Sequence, residues 1–77
     1  MKVKMILRGP LKKYGGDARA YELHLDQDNA TARDALEQLN VPLSAVSFVL
    51  INGEKMSLQT TLQGGEEITV NPKVAGG

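Results

Sequence analysis

The sequence contains no cysteine and no tryptophan, and its aromatic residues are one phenylalanine and two tyrosines. Without cysteine, the chain has no disulfide, no thiolate metal site and no thiol nucleophile. A chain of 77 residues lies near the lower size limit for independent folding, so a compact apolar core must supply its stability. Hydrophobic residues make up 42% of the sequence, which is typical of a globular domain.

Net charge and long apolar runs are also absent. Nine basic residues balance nine acidic ones, which argues against a general nucleic-acid-binding protein. No apolar run approaches the length of a membrane span, and the N-terminus lacks the long apolar segment of a signal peptide. We therefore expect a cytoplasmic protein that binds neither nucleic acid nor membrane. Five basic residues cluster near the start and are interpreted as a solvated strand face and loop: Lys2, Lys4, Arg8, Lys12 and Lys13.

Residues that usually carry catalysis or bind metals are equally sparse. His24 is the only histidine, and without a second histidine or a cysteine it is a poor candidate for a metal ligand. Glu66 and Glu67 have no general-base partner or nucleophile with them, so a turn and strand start is the better interpretation. Gly15-Gly16 and Gly64-Gly65 lack the strand, helix and lysine of a phosphate-binding loop. The sequence predicts no metal site and no catalytic constellation.

The first third of the chain has the period of β-strands. Val3, Met5 and Leu7 alternate mainly with charged residues, which predicts a half-buried strand ended by Gly9-Pro10. A loop through residues 12–16 leads to a second alternating segment over residues 21–25. These two strands are predicted to form a hairpin.

A helix and further strands follow. Thr31 is a good N-cap, and Asp34 three residues later makes an approximate capping box, so the apolar spacing predicts a helix over 32–39. Residues 47–52 form an apolar strand that ends at Asn52-Gly53, the strongest hairpin signal in the chain. Residues 67–71 alternate again and precede Pro72, which cannot donate to a strand ladder. The predicted order is ββαβ, room for a short extra strand, then β.

The sequence ends in Gly76-Gly77. Glycine has no Cβ, so such a tail can pass through a narrow channel and present a bare carboxylate to another protein. A terminal carboxyl group has a pKa of about 3.5 and is ionised at neutral pH. An ionised carboxylate is a poor electrophile, so chemistry there requires activation, for example as an acyl-adenylate. The alternative is an inert, frayed terminus.

Four segments of the sequence, together with the element order, point to a known family. They are Val49-Leu50-Ile51-Asn52-Gly53, Leu62, Gly65-Glu66-Glu67-Ile68 and Pro72-Lys73-Val74-Ala75-Gly76-Gly77. The chain resembles the ubiquitin-like β-grasp fold, and most closely the small sulfur-carrier proteins of the MoaD/ThiS type: the small subunit of molybdopterin synthase and the thiamin-sulfur carrier. The resemblance implies an α+β fold with a mixed four- to five-stranded sheet packed on one helix, a domain over 1–72 and a flexible tail over 73–77.

The resemblance also implies a function. In these families the terminal glycine is adenylated by an E1-like (ThiF/MoeB-type) adenylyltransferase and then converted to a thiocarboxylate. Gly77 would carry the sulfur here and Gly76 would precede it in the partner's channel. The chain would be a cosubstrate rather than an enzyme, with no bound cofactor and with ATP used by the partner. Because Gly77 already stands at the reactive position, we expect no processing step.

The tail departs from both family patterns at single positions. Lys73 stands where the molybdopterin type often has a second proline, and Ala75 stands where the thiamin type commonly has a third glycine. The balance favours the molybdopterin or a related tungsten-cofactor branch, with the large subunit of molybdopterin synthase as a further partner. A thiamin-type carrier, a ubiquitin-like protein modifier and a non-covalent β-grasp module remain the alternatives.

Strand parity predicts which side chains face the helix and which face a partner. Ile6, Phe48 and Leu50 fall on the outer face, where an apolar patch beside the tail would be a docking surface. Pro72, Lys73, Val74 and Ala75 complete the predicted partner-binding residues. A one-residue register error is the alternative, because it would turn the patch inward. Thr69 and Asn71 also fall outward, and the predicted core comprises Val3, Met5, Leu7, Leu23, Leu25, Leu36, Leu39, Val49, Ile51, Ile68 and Val70.

Overall fold

A computed structural model describes residues 1–73 of the chain. Two short 3₁₀ helices, at Gly9–Gly15 and Leu43–Ala45, accompany one α-helix and five strands. The helix and strands are β1 (Lys2–Leu7), β2 (Tyr21–His24), α1 (Ala32–Gln38), β3 (Val46–Ile51), β4 (Glu54–Met56) and β5 (Glu67–Pro72).

The five strands form one mixed sheet in the order β2-β1-β5-β3-β4. The two central strands, β1 and β5, are parallel, and every other pair is antiparallel. Buried residues of α1 belong to the same apolar cluster as the inner face of the sheet. The predicted α+β class, with a mixed sheet packed on one helix, is therefore confirmed.

The core follows the predicted strand parity. Val3, Met5 and Leu7 of β1 are buried, whereas Lys2 and Lys4 between them are exposed. All the predicted core residues except Leu39 are buried. Leu39 is half-buried at the margin of the core, because it is the C-cap residue that follows α1. Buried hydrophobic residues outside the predicted set are Leu11, Ala30, Ala32, Ala35, Val41, Val46 and Leu62.

The segment predicted as a loop after β1 contains a 3₁₀ helix over Gly9–Gly15. Pro10 lies in its first turn, where a proline ring is compatible with helical φ, and Gly16 ends it in the left-handed region at φ 70°. This helix buries Leu11 in the core. A Cβ on Gly15 would stand 3.0 Å from Leu7 Cδ1, so the helix packs closely against β1 at this point.

The Asn52-Gly53 turn joins β3 to β4 as predicted. Both residues have positive φ, 52° and 85°, the conformation that two-residue hairpins favour. Asn52 also fixes the start of β5, because its Oδ1 accepts from the Glu67 N–H at 2.9 Å and its N–H donates to the Glu67 carbonyl at 2.8 Å. The short extra strand that the sequence allowed is β4.

The predicted capping box at the start of α1 is present. Thr31 Oγ1 accepts from the Asp34 N–H at 3.2 Å, and Asp34 Oδ2 accepts from the Thr31 N–H at 2.8 Å. The hydrogen bond from the Thr31 backbone, followed by that from its hydroxyl, lowers the pKa of Asp34. The contribution of the ionised carboxylate to stability is thus present above the unfolded pKa of about 3.9 and is lost as the pH falls through the lower folded-state pKa.

We expect Thr31→Ala to lower the free energy of unfolding by about 1 kcal/mol at pH 7, because the N-cap acceptor is lost. Urea denaturation at pH 7 measures this loss. Thr31→Ser keeps the hydroxyl and is the matched control, with little expected loss. Equal losses in both variants would contradict the capping explanation.

Candidate functional site

The outer face of the sheet, opposite α1, has a row of side chains across its centre. Strand register places Thr69 of β5 next to Ile6 of β1 on one side and next to Leu50 of β3 on the other. Leu50 in turn lies opposite Lys55 of β4. Ile6 and Leu50 are far apart in sequence, but in the sheet only β5 lies between them.

Phe48 extends this row toward the end of β5. It lies opposite Asn71, the residue before Pro72, and Lys55 Nζ stands 5.3 Å from its ring centroid. That distance is within the range of a cation–π interaction. We call Ile6, Phe48 and Leu50 the apolar patch. Its three side chains are half-buried, because they pack among neighbouring residues of the sheet.

A one-residue register error, which would have turned the apolar patch inward, is not found in β3. Val49 is fully buried and Ile51 is 7% exposed, whereas Phe48 and Leu50 on the other parity are only half-buried. The outward positions of Ile6, Phe48 and Leu50 therefore agree with strand parity. Their role in partner binding stays a prediction.

The other end of the outer face is charged. Lys4 Nζ lies 3.7 Å from Glu67 Oε2, and Lys2 Nζ lies 3.7 Å from Glu22 Oε1. His24 Nε2 lies 3.8 Å from the same Glu22 oxygen, at the exposed strand position expected of it. These ion pairs are exposed, so each contributes little to stability. The charged side chains thus lie at one end of the outer face, and the apolar patch lies at the other, less polar end.

The tail begins beside the apolar patch. Pro72, the last residue of β5, is paired in register with Val46, and the Lys73 N–H donates to the Ala45 carbonyl at 3.0 Å. The backbone is therefore held by β3 and the segment before it up to residue 73. The remaining predicted site residues, Val74, Ala75, Gly76 and Gly77, lie outside the described residues, as does most of the tail predicted to be flexible.

The adjacent glutamates belong to a turn, as interpreted from the sequence. Glu66 accepts from the backbone N–H groups of Gln63 at 2.6 Å and Gly64 at 2.7 Å. Desolvation, the largest single influence, raises the pKa of Glu66, but the backbone hydrogen bonds together outweigh it and lower that pKa. Glu66 thus stabilises the turn in which Gly64 and Gly65 adopt φ of 108° and 86°.

Residues 1–73 contain no group of three or more histidine, cysteine, aspartate or glutamate side chains arranged to hold a metal ion. Within the same range, no helix has the length and apolar character needed to cross a membrane.

The sequence interpretation did not include Lys55 at this site. Its position over Phe48 depends on the register of the β3–β4 hairpin. The Asn52-Gly53 turn predicts this register, because a two-residue turn pairs Ile51 with Glu54. The next pair in the hairpin is then Leu50 with Lys55. The register of a predicted hairpin could have identified this residue.

The fold and the tail that leaves the sheet beside an apolar patch define a small ubiquitin-like β-grasp protein. The family model described as Mut7-C ubiquitin matches residues 16–76, and the chain belongs to this family. No match is found among curated proteins.

Solved structures of similar fold extend the comparison. The crystal structure of SAMP1 from Haloferax volcanii is 25% identical, with a TM-score of 0.74 and full coverage of both chains. A putative molybdopterin converting factor, subunit 1, from Pyrococcus furiosus is 20% identical with a TM-score of 0.73, covering 96% of this chain and 99% of its own. The solution structure of HVO 2177 from Haloferax volcanii is 22% identical with a TM-score of 0.79, covering 100% of this chain and 87% of its own. The predicted resemblance and the β-grasp fold are confirmed, and the last two structures bear on the fold alone.

Proposed function

We propose that this chain is a sulfur carrier whose Gly77 carboxylate is adenylated and then converted to a thiocarboxylate. The observation that carries the proposal is the position of Asn71 and Lys73, where the described part of the chain ends. Asn71 pairs with Phe48 of the apolar patch, and the last described hydrogen bond of the chain is made by Lys73 two residues later. A protein that docks on the patch would therefore meet the start of a tail that ends in Gly76-Gly77.

The chemistry follows from the weakness of a carboxylate as an electrophile. One carboxylate oxygen attacks the α-phosphorus of ATP and displaces pyrophosphate, which leaves an acyl-adenylate. A sulfide-level donor then displaces AMP and leaves a thiocarboxylate on Gly77. The carrier supplies the carboxylate and its delivery, and the partner supplies ATP binding and the catalytic groups, so no cofactor is needed on the chain itself.

The partner is an E1-like adenylyltransferase of the ThiF/MoeB type, and a second partner accepts the sulfur. Fully extended, residues 73–77 span at most about 17 Å, which is enough to enter a buried nucleotide site while the sheet stays outside. The tail, in which Ala75 stands where the thiamin type commonly has a third glycine, favours the large subunit of molybdopterin synthase as the acceptor and molybdenum or tungsten cofactor synthesis as the pathway. Because the reaction uses ATP, we place it in the cytoplasm.

A ubiquitin-like protein modifier is the second candidate. It is favoured by the similarity to SAMP1, called a small archaeal modifier protein, at 25% identity over 95% of this chain and 98% of that one. A modifier uses the same activated carboxylate but forms an isopeptide bond to a lysine of a target. The product on Gly77 therefore distinguishes the two candidates.

The test is the intact mass of the native chain after incubation with ATP, its cognate adenylyltransferase and a sulfide donor. We expect a mass increase equal to the exchange of one oxygen for one sulfur, located on Gly77 by fragmentation. A variant that lacks Gly77 is the control and should show no increase. With a lysine-bearing target protein added, isopeptide-linked products without the thiocarboxylate would favour the modifier, and an unchanged chain would contradict both candidates.

A further inference from the structure

A surface pocket of about 280 Å³ lies at the end of β1, where the chain enters the 3₁₀ helix over Gly9–Gly15. Three of its six lining residues carry a positive charge: Arg8, Lys12 and Arg19. The others are Ile6, Leu7 and Gly9. No carboxylate lines the pocket, so its walls combine apolar groups with charge of one sign.

These three cations are not neutralised within the part of the chain that the structure describes. Every ion pair among residues 1–73 involves other basic groups, on β1, β2 and α1. Asp17 lies between Lys12 and Arg19 in sequence, yet it forms no ion pair with them and contributes its backbone N–H to the Lys12 carbonyl instead. Like charges in one small pocket repel each other, and an anion between them would relieve that repulsion.

We propose that this pocket is a binding site for an oligophosphate, either inorganic pyrophosphate or the phosphate chain of a nucleotide. The positive charge and the small volume of the pocket favour a phosphate chain over carboxylate side chains of a partner protein. Pyrophosphate concentrates several negative charges in a small volume, whereas carboxylates from a partner would have to converge as separate side chains. Guanidinium groups also match phosphate oxygens with two parallel hydrogen bonds, and the pocket offers two of them, from Arg8 and Arg19.

The pocket adjoins both parts of the candidate site. Ile6 belongs to the pocket and to the apolar patch. Gly9 lines the pocket and approaches the end of β5, since a Cβ on it would stand 3.5 Å from Pro72 Cγ. The Arg8 N–H donates to the Val70 carbonyl of β5 at 3.2 Å, which ties the cationic wall to the strand that leads into the tail. An oligophosphate would thus lie beside the end of β5, whether or not Gly77 is activated.

The experiment is a titration of the isotopically labelled chain with inorganic pyrophosphate at low salt. Binding is monitored by the NMR chemical shifts of the backbone amides. We expect saturable shifts centred on Arg8, Gly9 and Lys12, and weaker binding as sodium chloride screens the charges. Arg8→Gln, Lys12→Gln and Arg19→Gln should each weaken binding about threefold to tenfold, because each removes one exposed charge-assisted contact. All three residues are exposed, and melting curves will show that the variants remain folded.

Arg33→Gln is the matched control, because it removes the same charge from α1, where Arg33 Nε pairs with Glu37 Oε1 at 2.8 Å. Binding within twofold of wild type is expected for it. A comparison of tripolyphosphate with ATP shows whether the site recognises a nucleotide or only its phosphate chain. Tighter binding of ATP would identify a nucleotide site, and equal binding of the two would identify a site for the phosphate chain alone. Shifts spread over the whole surface, or equal weakening by Arg33→Gln, would overturn the site. A glutamate-rich peptide that binds the same amides more tightly than pyrophosphate would instead identify a docking surface for an acidic protein.

Discussion

Gly76→Val should abolish activation of the C-terminal carboxylate and leave the fold intact. A β-branched side chain adds bulk beside the reacting group and stiffens χ1, so the tail can no longer pass through a narrow channel. Displacement of the reacting carboxylate by about 1 Å is enough to lower the rate about 100-fold, and we expect at least that loss in kcat/KM for adenylation. The core extends from Val3 to Val70, so we expect an unchanged melting temperature.

Pyrophosphate release in the presence of ATP and the cognate adenylyltransferase measures this effect. Gly76→Ala is the matched control, because it adds one methyl group without the β-branch, and it should retain more activity than the valine variant. Adenylation of Gly76→Val at the wild-type rate would show that the glycine is not required for threading, and the proposed delivery of the tail would then be wrong.

Adjacent residues of β3 should respond in opposite ways to the same substitution. Val49→Asp places a carboxylate in the core at a position with 0% exposure, at an expected cost of about 4 kcal/mol or more. A domain of this length has a total stability of about 4–12 kcal/mol, so we expect this variant to lose a third or more of its stability, with a large fall in melting temperature.

Leu50→Asp should instead fold and lose binding. Its side chain lies on the outer face opposite Lys55, so an aspartate there gains a cross-strand partner, and we expect a net cost of about 1 kcal/mol. Loss of an apolar anchor from an interface costs about 2 kcal/mol or more, which is about a 30-fold weaker complex with the adenylyltransferase. The sulfur-accepting partner should lose affinity in parallel, because one shared face makes the two complexes mutually exclusive.

Thermal melts beside binding titrations test both variants. A loss of stability in Leu50→Asp as large as that in Val49→Asp would show that Leu50 belongs to the core. Wild-type affinity of a folded Leu50→Asp variant would show that the apolar patch does not dock the partner. Gln59→Asp, at an exposed position outside the strands, is a control for the added charge and should change neither measurement.

Local sequence determined the elements that depend on neighbouring residues. The period of two in β1 and β5, the capping box of Thr31 and Asp34, and the Asn52-Gly53 turn are all short-range patterns, and the structure reproduces them. The 3₁₀ helix over Gly9–Gly15 was not predicted, because its stability depends on burying Leu11 in a core assembled from distant strands. Short helical turns have little periodicity of their own.

Sequence alone determined the parity of the strands and the Gly-Gly ending, because each is written in adjacent residues, and the resemblance to β-grasp proteins predicted the class of fold. Only the tertiary structure decided which surfaces meet. The parallel pairing of β1 with β5 brings Ile6 beside Thr69 and Leu50, and it brings Arg8 to the strand that leads into the tail. Lys12 and Arg19 join Arg8 at one pocket because the 3₁₀ helix over Gly9–Gly15 folds back at the end of β1 and β2 pairs with β1. Long-range pairing depends on the whole core closing together, so no local pattern specifies which strands become neighbours.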